Sequence, residues 1–566
     1  MKTGSAALAY SSPRLPRPRF RLAGWHIAAW GIALTVALPV LAVFYLALFP
    51  DENIWAHLAS TVLPVYVITT LELIAGVALL SILAGVGSAW LITLCSFPGR
   101  RLFEWALLLP FAVPAYVIAY VYTDLLEFAG PVQGALRALF GWQGARDYWF
   151  PEIRSLGGAI LMLSLVLYPY IYLLTRAAFL EQSTSLRDAS RLLGCNAWQS
   201  FWRISLPIAR PAIAVGVSLV AMETINDFGT VDFFAVKSMT AGIYDTWLNT
   251  YNLGGAAQIA SLMLVFVVML VTLERMARAQ QRQYHSTDRF VALEPIRLRG
   301  WRAAAACTFC LLPVLCGFVV PFSLLSWYAT GYLDQLWSED FLSYASHSFV
   351  LSLGAALLSI VLAVVLAYAR RLYSERRALQ FAVRFSSLGY AMPGAVLALG
   401  VIIPLAAFDN GLDAFMRRHF DVSTGLLLSG TTFAIILAYV VRFLAVANGA
   451  VDSSLSKVTP SMDMAARSLG QSASQTLLKV HLPLIKGGLM TALLVVFVDC
   501  MKELPATLIL RPFNYDTLAT FVYQYASDEM LERSSLAALL IVLVGMLPVI
   551  LLSRSITATR QTRRMG

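Results

Sequence analysis

The chain has 566 residues, of which 59% are hydrophobic and only 13% are charged, against roughly 45–50% and 25% in soluble globular domains. That composition excludes a soluble enzyme or a soluble binding module. The formal net charge of +10 is distributed over separate loops between apolar stretches, so nucleic acid is not expected as a partner.

About twelve apolar stretches follow one another along the chain, each long enough to cross a hydrocarbon core of about 30 Å as a helix. In the first half they are predicted at 25–49, 64–91, 105–125, 158–174, 212–230 and 257–273. In the second half they are predicted at 303–327, 349–368, 381–407, 425–447, 488–509 and 536–552. The chain is therefore predicted to be an all-α polytopic membrane protein.

The basic residues predict the orientation of these helices. Lys and Arg concentrate in the N-terminal tail, in segment 370–384 and at the C-terminal end, whereas the loops of opposite side carry acidic pairs at 51–52, 339–340 and 528–529. Because cytoplasmic loops are enriched in Lys and Arg, both termini are expected in the cytoplasm, next to an anionic lipid surface. The first apolar run is too long for the core of a signal peptide and is expected to be retained.

The two halves of the chain repeat one another. Segment 76–82 recurs at 354–360, Pro114 corresponds to Pro393, and segment 244–246 recurs at 515–517. These offsets predict two parallel six-helix repeats related by a pseudo-twofold axis along the membrane normal. We assign residues 1–280 to the first repeat, 281–300 to a cytoplasmic linker and 301–566 to the second repeat.

A polar motif stands at the same place in both halves, between the fourth and fifth apolar stretches, in loops 182–210 and 456–486. The first copy consists of Asp188, Ala189, Ser190, Gly194, Ile204, Leu206 and Pro207, and the second of Met464, Ala465, Ala466, Gly470, Val480, Leu482 and Pro483. The internal spacing is identical, and the two glycines lie 276 positions apart. One explanation should therefore cover both copies.

Each motif predicts a short helix that ends at its glycine, since glycine adopts the left-handed conformation without steric cost. A second short segment, 197–204 or 473–480, follows, and Pro207 or Pro483 is expected to begin the next membrane helix. Such an amphipathic helix can lie in the lipid headgroups or fit the groove of a partner protein. Its duplication at equivalent positions favours the partner.

Four carboxylates lie at matched distances from the two prolines. Glu223 and Asp227 come 16 and 20 positions after the first proline, and Asp499 and Glu503 come 16 and 20 positions after the second. A spacing of four predicts that each pair shares one helix face. Acidic groups at this depth are costly unless they face a bundle interior or a wet cavity.

Two roles for these carboxylates remain open. Symmetry would gather them around the axis as a path for a cation, or they could be structural, capping helix ends near Gly229 or Pro505 or pairing with Lys502. We expect no stable metal site in either case, because a conduit must release what it binds.

The two loops resemble the cytoplasmic signature of permease subunits in binding-protein-dependent ABC importers: Glu-Ala-Ala, three residues, Gly, nine residues, Ile-x-Leu-Pro. Asp188 and Met464 occupy the glutamate position, and Asp463 precedes the latter. The resemblance implies that the two motifs dock on two copies of a cytoplasmic ATPase subunit. No G-x-x-x-x-G-K-[ST] phosphate loop occurs in the chain, so ATP and Mg²⁺ are expected on that partner, with no cofactor and no catalytic residue here.

Segments 223–236 and 501–520 resemble fused permeases of ferric-iron importers. This resemblance implies import of Fe(III) through the bacterial inner membrane from an extracytoplasmic binding protein. Fused permeases for thiamine, phosphonates or polyamines share the architecture and remain open as alternatives. A secondary transporter with two parallel halves is a further alternative; it would need residues that bind a coupling ion and would not need loops that dock on an ATPase. A membrane scaffold that transports nothing is disfavoured by the intramembrane carboxylates.

Overall fold

The computed structural model describes residues 23–50, 52–181, 196–281, 296–387 and 389–565. These residues are almost entirely helical, as a chain in lipid must satisfy its backbone polar groups internally. In the first half the helices are α1 (Ala23–Leu48), α2 (Trp55–Ser60), α3 (Leu63–Leu94), α4 (Arg100–Ala106), α5 (Ala115–Leu126), α6 (Pro131–Phe140), α7 (Leu156–Glu181), α8 (Ala197–Ser200), α9 (Leu206–Asn226), α10 (Gly229–Phe233), α11 (Met239–Tyr244) and α12 (Leu253–Gln281).

The second half repeats this order. Its helices are α13 (Trp301–Val314), α14 (Val320–Thr330), α15 (Glu339–Leu372), α16 (Arg377–Phe385), α17 (Gly394–Phe420), α18 (Thr432–Leu455), α19 (Pro460–Ser468), α20 (Ala473–Thr476), α21 (Leu482–Met501), α22 (Pro505–Leu510), α23 (Leu518–Ser527) and α24 (Leu531–Met565). Short 3-10 turns at Leu109–Ala112 and Gly389–Ala391 precede α5 and α17.

The number of membrane helices agrees with the sequence. In the described ranges, eleven helical stretches are long and apolar enough to cross a membrane, and one bent pair, Arg100–Ala112 with Ala115–Phe140, brings the total to twelve. The prediction of an all-α polytopic protein built from two parallel repeats is confirmed.

The predicted span 105–125 is wrong as a single helix, because the chain bends there by 91°. Val113, the residue before Pro114, is extended at φ −88° and ψ 121°. A residue before proline is driven out of the helical region by the proline ring. The helix therefore stops at the 3-10 turn, and α5 starts again at Ala115 in a new direction.

The second half breaks at the equivalent proline, so the predicted span 381–407 is also wrong. Pro393 is extended at ψ 142°, and the long apolar helix is α17, which begins one residue later at Gly394. The residues before the break form the separate short helix α16. The next span was placed at 425–447, whereas α18 begins later and ends at Leu455.

The membrane helices after the two loops begin earlier than predicted. Continuous helical stretches run from Trp198 to Asn226 and from Ala473 to Met501, so the loop prolines lie inside them. A π-helical turn stands before each proline, at Phe201–Ser205 and Leu477–His481. Proline lacks the N–H that would continue the α-helical pattern, and the wider turn absorbs the interruption. The predicted ends of spans 212–230 and 488–509 are wrong too, because these helices end at Asn226 and Met501.

The two halves are interleaved rather than placed side by side. One buried apolar cluster joins α3, α5 and α7 of the first half to α13, α14 and α24 of the second. The other joins α1 and α12 of the first half to α15, α17 and α18 of the second. Each core is therefore completed by helices of the other repeat, so neither repeat buries its apolar surface alone.

The end of the predicted linker is attached to the first half. Strand β1 (Cys95–Ser96) pairs in parallel with strand β2 (Ile296–Arg297), with Cys95 opposite Ile296. Leu298 N–H continues the contact by donating to the carbonyl of Ser96 at 2.9 Å. This pairing lies directly before α13.

Candidate functional site

The second polar loop is well described and forms a helix with a defined end. Its helix α19 starts at Pro460, four residues before Met464, the first residue of the motif, since proline suits the first helical turn. Gly470 has φ +76°, the left-handed conformation predicted for it. The N–H groups of Gly470 and Gln471 donate to the carbonyls of Arg467 and Ala466, which closes the helix in a Schellman motif.

The two side chains at the start of this motif point in different directions. Asp463 accepts a hydrogen bond from Arg371 Nε at 2.9 Å and lies 2.6 Å from His481 Nε2. Arg371 also donates to the carbonyls of Leu455 and Val458. The carboxylate therefore anchors the loop to the end of α15 and is not presented to a partner.

Large apolar side chains of this loop face outward. Met464, at the glutamate position of the signature, is 64% exposed and Leu469 is 79% exposed. Ala465 is exposed as well, whereas Ala466 is buried. Leu482 and Pro483 lie at the start of α21, directly after the π-helical turn.

The first loop is described only in part. Asp188, Ala189, Ser190 and Gly194 lie outside the described residues. Leu206 and Pro207 begin α9 after a π-helical turn, in the same arrangement as their counterparts in the second half. The docking role of both loops stays a prediction.

The four candidate carboxylates line one cavity between the two halves. Its walls come from the break before α5, from α7 and from the C-terminal ends of α9 and α21. Two basic side chains, Arg442 and Lys502, also line it, so carboxylates exceed basic groups by two.

The carboxylates of the second half are each paired with a basic group. Lys502 Nζ lies 2.9 Å from Asp499 Oδ1 and 4.9 Å from the centre of the Phe111 ring. Arg442 Nη1 lies 3.1 Å from Glu503 Oε1, and both side chains are buried. The second-half wall is therefore electrically compensated.

The carboxylates of the first half are held by neutral donors. Tyr390 donates its hydroxyl proton to Glu223 Oε1 at 2.6 Å, and the Tyr170 hydroxyl lies 3.5 Å from the same oxygen. Asp227 accepts from the backbone N–H groups of Thr230 and Val231, at 3.0 and 3.2 Å, at the start of α10. Neither carboxylate forms an ion pair with any residue that the structure describes.

The predicted shared helix face is kept only in the first pair, where the Asp227 N–H donates to the Glu223 carbonyl at 3.0 Å as in a continuing helix. Only Glu223 and Asp499 lie within helices, because α9 ends at Asn226 and α21 ends at Met501. Asp227 and Glu503 therefore stand in the breaks that follow, where each accepts hydrogen bonds from the short helix after it. The contacts foreseen for a structural role are present, and all four groups still face the cavity.

Sequence reasoning missed Arg442, Tyr170, Tyr390 and Asn226. Arg442 could have been found, because a lone arginine inside a predicted apolar span is itself a functional signal. Tyr390 occupies the position equivalent to Phe111, at the offset of 279 that relates Pro114 to Pro393. That substitution gives only the second half a hydroxyl at this place.

Two buried polar side chains in the cavity wall have no hydrogen-bond partner among the described residues. They are Asn226, through both its amide oxygen and its amide nitrogen, and Tyr116, through its hydroxyl. Their exposed fractions are 4% and 5%. No three His, Cys, Asp or Glu side chains of the described ranges are grouped to hold a metal ion, so any ligand here would be met by a mixed set of oxygen donors.

Comparison with known proteins gives the family and its relatives. The family described as "Binding-protein-dependent transport system inner membrane component" matches the chain twice, at residues 79–282 and 313–561. An Fe(3+)-transport system permease protein of Haemophilus influenzae is 26% identical over 496 residues, which cover 85% of this chain and 90% of that protein.

Relatives named for sulfate and for molybdenum match less than half of the chain. A probable sulfate transport system permease protein of Chlorokybus atmophyticus is 29% identical over 260 residues, 44% of this chain and 85% of that protein. A molybdenum transport system permease protein of Escherichia coli K12 is 28% identical over 225 residues, 38% of this chain and 94% of that protein.

Proposed function

The chain belongs to the family of binding-protein-dependent transport system inner membrane components, and from that premise we propose that it carries Fe(III) into the cytoplasm. It is a multi-pass subunit of an ATP-driven importer, not an enzyme, and its partners are a separate ATPase and an extracytoplasmic binding protein. The substrate, the number of ATPase subunits and the orientation of the termini are parts of the proposal.

The charge of the cavity is the observation that carries the iron assignment. Its wall has two more carboxylates than basic groups, and unit charges 4 Å apart interact by about 4 kcal/mol at an effective dielectric constant of about 20. A cation is attracted into such a wall, whereas a dianion such as sulfate or molybdate is repelled. Carboxylate and hydroxyl oxygens are also hard ligands, which suit a hard cation.

The extent of similarity supports the same substrate. The Haemophilus influenzae relative named for Fe(3+) is similar over both halves, whereas the relatives named for sulfate and molybdenum match less than half of this chain. In this proposal Glu223, Asp227, Asp499 and Glu503 form the translocation path.

The interleaved halves suit a mechanism in which movements of the two loops change the arrangement of the helices around one shared cavity. Two ATPase subunits would each hold one loop, and ATP would favour one arrangement of the halves over the other. Transport then requires only that ATP and the loaded binding protein bind the two arrangements with different affinity. The loops and both termini lie on the cytoplasmic side, where basic residues concentrate.

Uptake by the reconstituted system tests the substrate. The full chain, its ATPase and its binding protein are placed in proteoliposomes and supplied with radioactive iron, sulfate or molybdate. We expect iron uptake that needs both ATP and the binding protein and that excess thiamine, phosphonate or polyamine does not reduce. Uptake of an oxyanion, thiamine or a polyamine in place of iron would refute the assignment.

A further inference from the structure

We propose that Fe(III) is held during transport by one side of the cavity, through the carboxylate of Glu223 and the hydroxyl oxygens of Tyr390 and Tyr170. This inference rests on the proposed function and places the ion at Glu223 of the first half, with Tyr390 as a ligand from the second half. The equivalent carboxylates of the second half, Asp499 and Glu503, hold no ion because each is paired with a basic group.

The repeat itself reveals the asymmetry. Glu223 and Asp499 both lie 16 positions after a loop proline, and three positions further on stand Asn226 and Lys502. In the second half the lysine neutralises Asp499 at 2.9 Å. In the first half an uncharged amide stands at that position, so Glu223 has no ion-pair partner among the described residues, and its described partners are the hydroxyls of Tyr390 and Tyr170.

The second carboxylate of each repeat shows the same difference: it is paired with a basic group in the second half and not in the first. Glu503 is paired with the buried guanidinium of Arg442, whereas its counterpart Asp227 accepts only from Thr230 and Val231 among the described residues. The two cavity carboxylates without an ion pair among the described residues therefore both belong to the first half.

The oxygen atoms around Glu223 have the spacing of ligands on a small ion. Its Oε1 lies 2.6 Å from the Tyr390 hydroxyl and 3.5 Å from the Tyr170 hydroxyl. Adjacent ligands of a small octahedral ion with bonds of about 2.0–2.1 Å lie roughly 2.8–3.0 Å apart. Small side-chain movements would thus convert these hydrogen bonds into bonds to a shared ion.

The unpaired polar groups of the cavity point to a ligand independently. The Asn226 amide and the Tyr116 hydroxyl are at least nine-tenths buried and have no partner among the described residues. A buried polar group without a hydrogen-bond partner loses its interactions with water and gains none in return, so it destabilises the protein until a ligand or water meets it. The Asn226 carbonyl oxygen can join the ligand set, and the Tyr116 hydroxyl can hold a water molecule of the ion's hydration shell.

The charge of this wall matches a trivalent ion. The carboxylates of Glu223 and Asp227 supply two negative charges, and a third arises when the Tyr390 phenol binds the ion and releases its proton to water in the cavity, as ligands deprotonate on metal binding. The small number of charged ligands keeps the site weak enough to release the ion.

The test measures iron binding directly. The full chain with its ATPase in lipid nanodiscs is titrated with ferric nitrilotriacetate, and the visible absorption of a tyrosinate–Fe(III) bond is recorded. Asn226→Lys gives the first half the counter-charge that the second half has, and Tyr390→Phe removes one ligand while preserving shape. Tyr122→Phe is the control, since the Tyr122 hydroxyl donates to the Cys316 carbonyl outside the cavity.

We expect the absorption band in the wild type and in the control, and an apparent affinity lowered roughly 10- to 100-fold in Asn226→Lys and Tyr390→Phe. If the lysine variant does not fold, the phenylalanine variant alone decides. No band in the wild type, or equal affinity in all variants, would overturn the assignment.

Iron uptake in proteoliposomes distinguishes failure of the proposed ion site from failure of the proposed function. Normal uptake by Asn226→Lys and Tyr390→Phe would overturn the ion site and leave the proposed function intact. Absence of iron uptake by the wild type would overturn the proposed function, and the inference with it.

Discussion

The buried ion pair of the cavity wall gives the sharpest stability prediction. Arg442 Nη1 lies 3.1 Å from Glu503 Oε1, and the two side chains are only 8% and 5% exposed. Replacing Arg442 by methionine leaves a carboxylate inside the protein without its counter-charge. Removing one partner of such a pair costs about 3–5 kcal/mol, so Arg442→Met should unfold at a clearly lower temperature than the wild type.

A second substitution separates the charge effect from the loss of packing. Because a neutral amide needs no counter-charge, combining Arg442→Met with Glu503→Gln should recover most of the lost stability. Thermal unfolding of the purified chain in detergent, followed by size-exclusion chromatography after heating, ranks the variants. The control is Arg417→Met, whose partner is Asp413 but whose side chain is 63% exposed, so its removal should cost at most about 1 kcal/mol.

The reasoning fails if the single variant Arg442→Met unfolds at the wild-type temperature. It fails equally if the double variant is no more stable than the single one, because the deficit would then come from lost packing. A large effect of Arg417→Met would show that any lost ion pair destabilises the chain, wherever it lies.

Three further predictions concern the second loop and the break before α17. Gly470→Ala strains a residue at φ +76° by about 1–2 kcal/mol and should reduce copurification of the ATPase, whereas Gly487→Ala, which meets open space, should not. Gly394→Ala places a Cβ within 2.9 Å of both members of the buried ion pair, so its unfolding temperature should fall as it does for the arginine variant. Asp463→Asn removes the ion pair with Arg371, and trypsin should then cleave the loop faster; an unchanged rate would contradict the anchoring role.

Much of the architecture could be predicted from the chain alone. Helix number followed from the length of the apolar stretches, because a hydrocarbon core of fixed thickness demands spans of fixed length. The left-handed conformation of Gly470 followed from its place after a short helical segment. The helix breaks at Pro114 and Pro393 were not predicted. The two prolines matched in the alignment of the repeats, but the sequence analysis placed each of them inside a continuous span.

The position of the carboxylates could be predicted better than their surroundings. Equal offsets from Pro207 and Pro483 identified four groups that do line one cavity. The predicted shared helix face fails in the second pair, because the helix ends at Met501 and Glu503 lies beyond it, whereas the Asp227 N–H still donates to the Glu223 carbonyl in the helical pattern.

The sequence by itself determined that this chain crosses the membrane about twelve times, that it is a duplication, and where its polar loops and acidic residues lie. These properties depend on composition and local spacing, which act within a few helical turns. Only the tertiary structure decided which charges are compensated. Arg442 and Glu503 are 61 positions apart within the second repeat, and Tyr390 and Glu223 are 167 apart in different repeats. Such pairs meet only through the packing of helices that are distant in the sequence, which local spacing does not reveal.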